Sequence, residues 1–256
     1  MFIGLRRLKA KFFDYTLPIF IKALLDLRLE PQSFKIFIDT KCLVLTLRPS
    51  DETFAMGGFM AKHPKNFEVL SATDGSKGVL DKDKVDARFI RRKEFNEVME
   101  ATRVKGHKIL NIEEGKLLEN YPQFAKIDVS EIDYIFVPNI LEQDFETKVL
   151  LIHLKKLLEE KEHKGGLKIV FYELNSPLSF VNACVDVVLT ITIKQDMMKL
   201  YASQYVQKEN PTAVLSLNKY RSDTSGGYSE GFLVVSVKDF NSLVEGINIK
   251  NFLNDV

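Results

Sequence analysis

The sequence has no tryptophan, only two cysteines, few prolines (8) and glycines (13) for its 256 residues, and almost no net charge. So little proline and glycine excludes collagen-like and low-complexity chains. The cysteines, Cys42 and Cys184, show no C-x-x-C or Cys/His spacing, which excludes a disulfide scaffold and a zinc ribbon. Both lie in apolar stretches and are expected to be reduced core thiols, which predicts a cytoplasmic protein. Lys+Arg (36) and Asp+Glu (35) nearly cancel, so the overall balance points to no polyanionic partner. No apolar run reaches the roughly 18–20 residues of a membrane span. The apolar N-terminus is interrupted by Arg6, Arg7, Lys9, Lys11, Asp14, Lys22 and Asp26, so neither a span nor a cleavable signal is expected. His63, His107, His153 and His163 have no metal-binding spacing, and no metal or other cofactor is expected. The G-x-S-x-G elbow and the G-x-G-x-x-G dinucleotide loop are also absent.

What is present is an ordinary globular composition, with 45% apolar and 28% charged residues. The apolar spacing predicts a helical arm over residues 1–30, broken at Pro18, followed by one α/β domain over 31–256. Strands are expected at Phe34–Ile38, Cys42–Leu47, Phe67–Ala72, Lys108–Ile112, Tyr134–Val137 and Leu167–Tyr172. Helices are expected from Asp51 to about Lys62, around Glu94–Thr102, and at Glu113–Asn120 and Phe145–His163. Strands alternating with helices at this spacing argue for right-handed crossovers and a mainly parallel, three-layer sheet. The last third reads as antiparallel additions: a β-branched strand at Val185–Ile193, then Thr212–Lys219 and Gly231–Val237 joined by a Ser- and Gly-rich loop.

Three landmarks, Asp133 before a buried strand, the run Val185-Asp186-Val187-Val188-Leu189, and Leu217-Asn218-Lys219-Tyr220-Arg221, resemble the RecA-like ATPase superfamily in its KaiC/RadA-paralogue branch. The resemblance implies a RecA-like sheet with antiparallel C-terminal strands. It also implies an oligomer, of the chain itself or with a RecA-like ATPase, in which Lys219 and Arg221 reach a neighbour's phosphate from one strand face. The nucleotide motifs are degenerate. No G-x-x-x-x-G-K-[ST] occurs, and its place after the first buried strand reads Arg48-Pro49-Ser50-Asp51-Glu52-Thr53. Like unit charges about 4 Å apart repel by about 4 kcal/mol at an effective dielectric of 20, enough to weaken polyphosphate binding roughly a thousandfold. Pro138 stands where the magnesium-orienting Asp belongs, and proline ligates nothing through its side chain.

The resemblance therefore implies a non-hydrolysing accessory subunit in DNA recombination or repair, or a scaffold subunit of an archaellum or tRNA-modification assembly. Candidate polyanion contacts, with DNA as partner, are Arg6, Arg7, Lys9 and Lys11 in the arm and Arg88, Arg91, Arg92 and Lys93 in the domain. A different class of reading is a small-molecule enzyme on an ordinary α/β sheet. Its pocket would lie at the carboxyl ends of the strands, near Thr73-Asp74, Pro138-Asn139 and Glu173–Asn175.

Overall fold

A computed structural model describes residues 32–205 and 211–247. The helical arm expected over residues 1–30, with Arg6, Arg7, Lys9 and Lys11, lies outside the described residues. One seven-stranded sheet organises the rest, in the order β3-β2-β1-β4-β5-β7-β6. Its strands are β1 (Cys42–Thr46), β2 (Phe67–Thr73), β3 (Gly106–Ile112), β4 (Tyr134–Pro138), β5 (Lys168–Tyr172), β6 (Ala183–Asp186) and β7 (Ser229–Ser236). The first five are mutually parallel, and β7 runs antiparallel to both β5 and β6. The expected three-layer α/β architecture with antiparallel C-terminal strands is present.

The parallel strands are apolar on both faces because helices cover both. From β1, Leu43, Leu45 and Leu47 face one layer, formed by α3 (Phe145–Glu160) and α6 (Val237–Glu245). Cys42 and Val44 face the other, formed by α1 (Asp51–Lys62), α2 (Lys84–Thr102), α4 (Ile191–Leu200) and α5 (Pro211–Tyr220). Strand starts are level, with Cys42 opposite both Phe67 and Tyr134, so the carboxyl ends form one continuous crest.

The order of strands puts a topological switch in that crest. From β1 the chain steps to β2 and β3 on one side, then returns to β4 on the other. The connection after β1 leads to α1 in one layer and that after β4 to α3 in the opposite layer, so the two loops diverge. A crevice between such loops is where open α/β sheets bind ligands.

Several local expectations are corrected. Phe34–Ile38 forms no strand; the Phe34 ring packs on Phe59, Phe136 and Phe232 instead. The β-branched Val185–Ile193 run is strand only to Asp186; Val187 to Thr190 make a turn, and Ile191 opens α4. Residues 211–220 are helix: Val214 and Leu215 pack against the core, and Asn218, one turn after Val214, is buried. Lys219 and Arg221 therefore share no strand face. Helix α2 starts ten residues earlier than expected, at Lys84, because Asp83 caps it by accepting from the Val85 and Asp86 amides. Cys184 is exposed rather than core, and both cysteines are free.

Helix α1 is broken at Met56 (φ −138°), which frees two amides on its core side. The buried Glu230 carboxylate of β7 accepts both, from Gly58 at 2.9 Å and Phe59 at 2.8 Å. Lys194 of α4 neutralises it at 2.7 Å and also donates to Asn218 and the Ala55 carbonyl. An added Cβ at Gly58 would lie 2.7 Å from Val187 Cβ, so only glycine admits this close approach.

Candidate functional site

At the crest, the chain leaves β1 through Arg48 and Pro49 and turns into α1 at Ser50, whose φ of 97° is rare for a residue with a Cβ. No helix cap comes from the Ser50 hydroxyl. Instead Glu52 Oε2 accepts from the Ser50 amide and Asp51 Oδ2 from the Arg48 amide, so acidic residues two and three positions on hold the turn. Beneath it Arg91 of α2 is fully buried and donates to Pro49 O and Ser50 Oγ. Tyr201 donates to Glu52 Oε1 at 2.6 Å. Burial pushes the Glu52 carboxyl up from its ordinary pKa.

This turn aims Arg48 across the switch point. Its Nε donates to Glu114, which follows β3, and its Nη2 to Asp144, which follows β4, each at 2.5 Å. Burial alone would lower the Arg48 pKa, but the carboxylates of Asp51, Glu114 and Asp144 outweigh it and hold the guanidinium charged. Asp144 in turn is kept below the usual carboxylate range: burial would raise it, and Arg48 lowers it further. Arg48 and Asp144 keep 25% and 35% of their side-chain surface exposed, so both are reachable from solvent, whereas Glu114 keeps 4%.

The surrounding carboxylates fasten the crest loops. Asp74, after β2, accepts from the Ser76 and Glu114 amides and from Arg88 Nε at 2.6 Å. Glu114 accepts the Lys77 amide, and Glu146 accepts those of Gly115 and Leu117. Glu142 accepts from Asn175 and Ser176, and Glu173 from Leu178 and Arg221. Asn139 ties its own loop to Ser176 and Pro177. Beside Asp144, burial lowers the Lys148 pKa to about 8 even though Glu142 and Asp144 pull it back up. Burial likewise raises Glu142. The arrangement can hold a polar molecule against a fixed cation, with an ionised carboxylate and a titratable amine nearby.

A divalent metal ion is a general means of polarising an acyl oxygen. The crest does not fit one: among the described residues no group of three or more His, Cys, Asp or Glu could hold a metal, and a guanidinium already sits between the carboxylates.

The segment singled out as a degenerate nucleotide loop, Arg48–Thr53, is thus central, for a different reason. Thr73-Asp74, Pro138-Asn139 and Glu173–Asn175 lie on the same crest, at the ends of β2, β4 and β5. Pro138 closes β4 opposite Tyr172. Asp133 sits at the other end of the strand, accepts the Lys41 amide, and lines a polar hollow of about 310 Å³. The basic run of α2 is dispersed: Arg88 pairs with Asp74, Arg91 is interior, Arg92 donates to Asn111, and Lys93 lies 3.8 Å from Glu97. Arg221 grips Glu173 and the Leu178 carbonyl, and Lys219 lies 5.4 Å from the Tyr228 ring. Sequence reasoning missed Asp144 and Lys148, and took Glu114 for a helix start.

No family model matches the chain, and no curated protein matches it. Solved structures do. N,N'-diacetylchitobiose deacetylase from Pyrococcus horikoshii superposes with a TM-score of 0.62 at 21% identity, covering 78% of this chain and 85% of that one. The deacetylase of the antimicrobial A40926 pseudoaglycone gives 0.58 at 15% identity, covering 77% and 98%. A 4-carboxy-2-hydroxymuconate hydratase from Pseudomonas putida gives 0.56 at 12%, covering 77% and 96%. The fold is that of these small-molecule enzymes. It overturns the RecA-like resemblance and, with it, the pseudo-ATPase role in DNA repair and the scaffold roles derived from the same likeness. Of the three landmarks, Asp133 does precede β4 and Val185–Asp186 does end β6, but these are short features of many α/β sheets; Val187–Leu189 is a turn and Leu217–Tyr220 is helix, so the likeness goes no further. Among the described residues no helix is long and apolar enough to cross a membrane.

Proposed function

We propose that this protein is a small-molecule enzyme of the deacetylase type, hydrolysing an acyl–nitrogen bond of a polar, hydroxyl-rich substrate held in the crest crevice between the β1 and β4 loops. The observation that carries the reading is the Arg48–Asp144 pair: cation and carboxylate, both partly exposed, meet across the topological switch point on a rigidly fastened crest. The names of the structural neighbours, two of them deacetylases acting on a disaccharide and a pseudoaglycone, supply the bond type.

In this reading the Arg48 guanidinium faces the acyl oxygen and stabilises the negative charge that develops on it. Asp144, held ionised by Arg48, accepts a proton from the attacking water as the new C–O bond forms. The C–N bond then breaks, and Lys148, one helical turn beyond Asp144, gives its proton to the departing amine. Amide and water become carboxylic acid and amine, and passage of the proton from Asp144 back to Lys148 restores both groups, so no other reactant is needed. The test is release of primary amine from N-acetylated amino sugars, N,N'-diacetylchitobiose first. Turnover that falls at least about a hundredfold in Arg48→Met supports the assignment. Wild-type turnover left intact by that substitution removes it.

A further inference from the structure

We propose that Arg48 is a built-in cation: its guanidinium fills the place a divalent metal ion would otherwise take, so the wild-type crest is closed to metals and Arg48→Ala opens a divalent-cation site. The inference rests on the crest being the active site, but its test does not require turnover.

Three carboxylates, from Asp51, Glu114 and Asp144, act on the Arg48 charge, and two of them bind it at 2.5 Å through different nitrogens. They come from three separate segments, after β1, β3 and β4, and each is fixed by backbone amides: Asp51 by Arg48, Glu114 by Lys77, and Asp144 by Thr147. These amide contacts keep the carboxylates close to their present places when the cation is removed. A planar guanidinium spreads its donors over several ångströms, which is why these oxygens converge on Arg48 without forming a compact ligand set. Without it, the mutual repulsion of the carboxylates favours either protons or a hard, oxygen-seeking cation, and small loop movements suffice to close the set. A divalent ion approaching the wild-type cradle instead meets a fixed positive charge.

The full-length chain and Arg48→Ala are titrated with Mn²⁺ and then Zn²⁺ by calorimetry near neutral pH, with the melting temperature as a second readout. Wild type is expected to show no saturable binding and a melting temperature indifferent to EDTA. Arg48→Ala is expected to bind one equivalent at least about a hundredfold more tightly than wild type and to melt higher when loaded. Adding Asp144→Asn to that variant is expected to weaken binding about tenfold or more. Stoichiometric metal in purified wild type overturns the proposal, as does a folded Arg48→Ala that takes up protons but no metal. Arg48→Gln, which keeps most of the volume, is the second variant; failure of both to fold even with Mn²⁺ present also counts against it. Turnover abolished by EDTA would refute this inference and leave the enzyme reading standing. A metal-free crest with no turnover of acyl amines would do the reverse.

Discussion

Replacing Lys194 by methionine tests how the crest turn is supported from below. The Lys194 ammonium is fully buried and makes three hydrogen bonds, to Glu230, Asn218 and the Ala55 carbonyl. Methionine nearly matches its volume, so packing loss is small and the main effect is a Glu230 carboxylate left uncompensated in the core. Breaking a buried pair in this way costs about 3–5 kcal/mol. With a urea slope near 3 kcal/mol per molar, the midpoint should fall by about 1–1.7 M. The carboxylate cannot relax outward, because it holds the Gly58 and Phe59 amides at the break in α1. Lys194→Met combined with Glu230→Gln should be less destabilised than the sum of the single changes by about 2 kcal/mol. A midpoint shift below about 0.3 M, or additive single effects, would refute the claim that this pair holds the broken helix in place.

Burial holds His153 neutral with a pKa of about 4, its Nδ1 unpartnered beside Tyr121 and Phe124. The unfolded chain binds the proton more readily, so stability should fall as pH drops below about 6.5 and lose about 3 kcal/mol by pH 4. In His153→Leu, urea titrations should show a loss smaller by that amount. Gly58→Ala pushes a methyl group into Val187 and should lower stability by about 1–3 kcal/mol, read as a lower melting temperature; no change would mean that the α1–α4 approach is loose. Tyr201→Phe removes the 2.6 Å hydrogen bond to Glu52 and should cost about 1.5–3 kcal/mol by urea unfolding. If Lys148 donates the leaving-group proton, turnover should decline as pH rises through about 8, and Lys148→Met should flatten that limb of the profile.

The layers and the parallel sheet were legible because their signal is local: runs such as Cys42–Leu47 and Leu167–Tyr172 are apolar on both faces, and only doubly covered strands tolerate that. The C-terminal third misread for a physical reason. Val185–Ile193 and Thr212–Lys219 are β-branched enough to suggest strands, but packing of Met197, Met198 and Val214 at helical spacing overrides the propensity. The site was half legible. Strand ends at Asp74, Asn139 and Glu173 could be placed on a crest once a parallel sheet was expected. The partnership of Arg48 with Glu114 and Asp144 could not, because it joins residues 66 and 96 positions apart, and pairing depends on the strand order. The same two acidic residues that argued against a phosphate loop, Asp51 and Glu52, turn out to hold the turn that aims Arg48.

The most direct test of the crest as a small-molecule active site is amine release from a panel of N-acetylated amino sugars by EDTA-treated wild type, with Arg48→Met and Asp144→Asn alongside. Chelator-insensitive turnover that both substitutions abolish is the predicted result. Absence of turnover across the panel both with and without EDTA, or turnover that survives loss of the Arg48–Asp144 pair, would contradict the account.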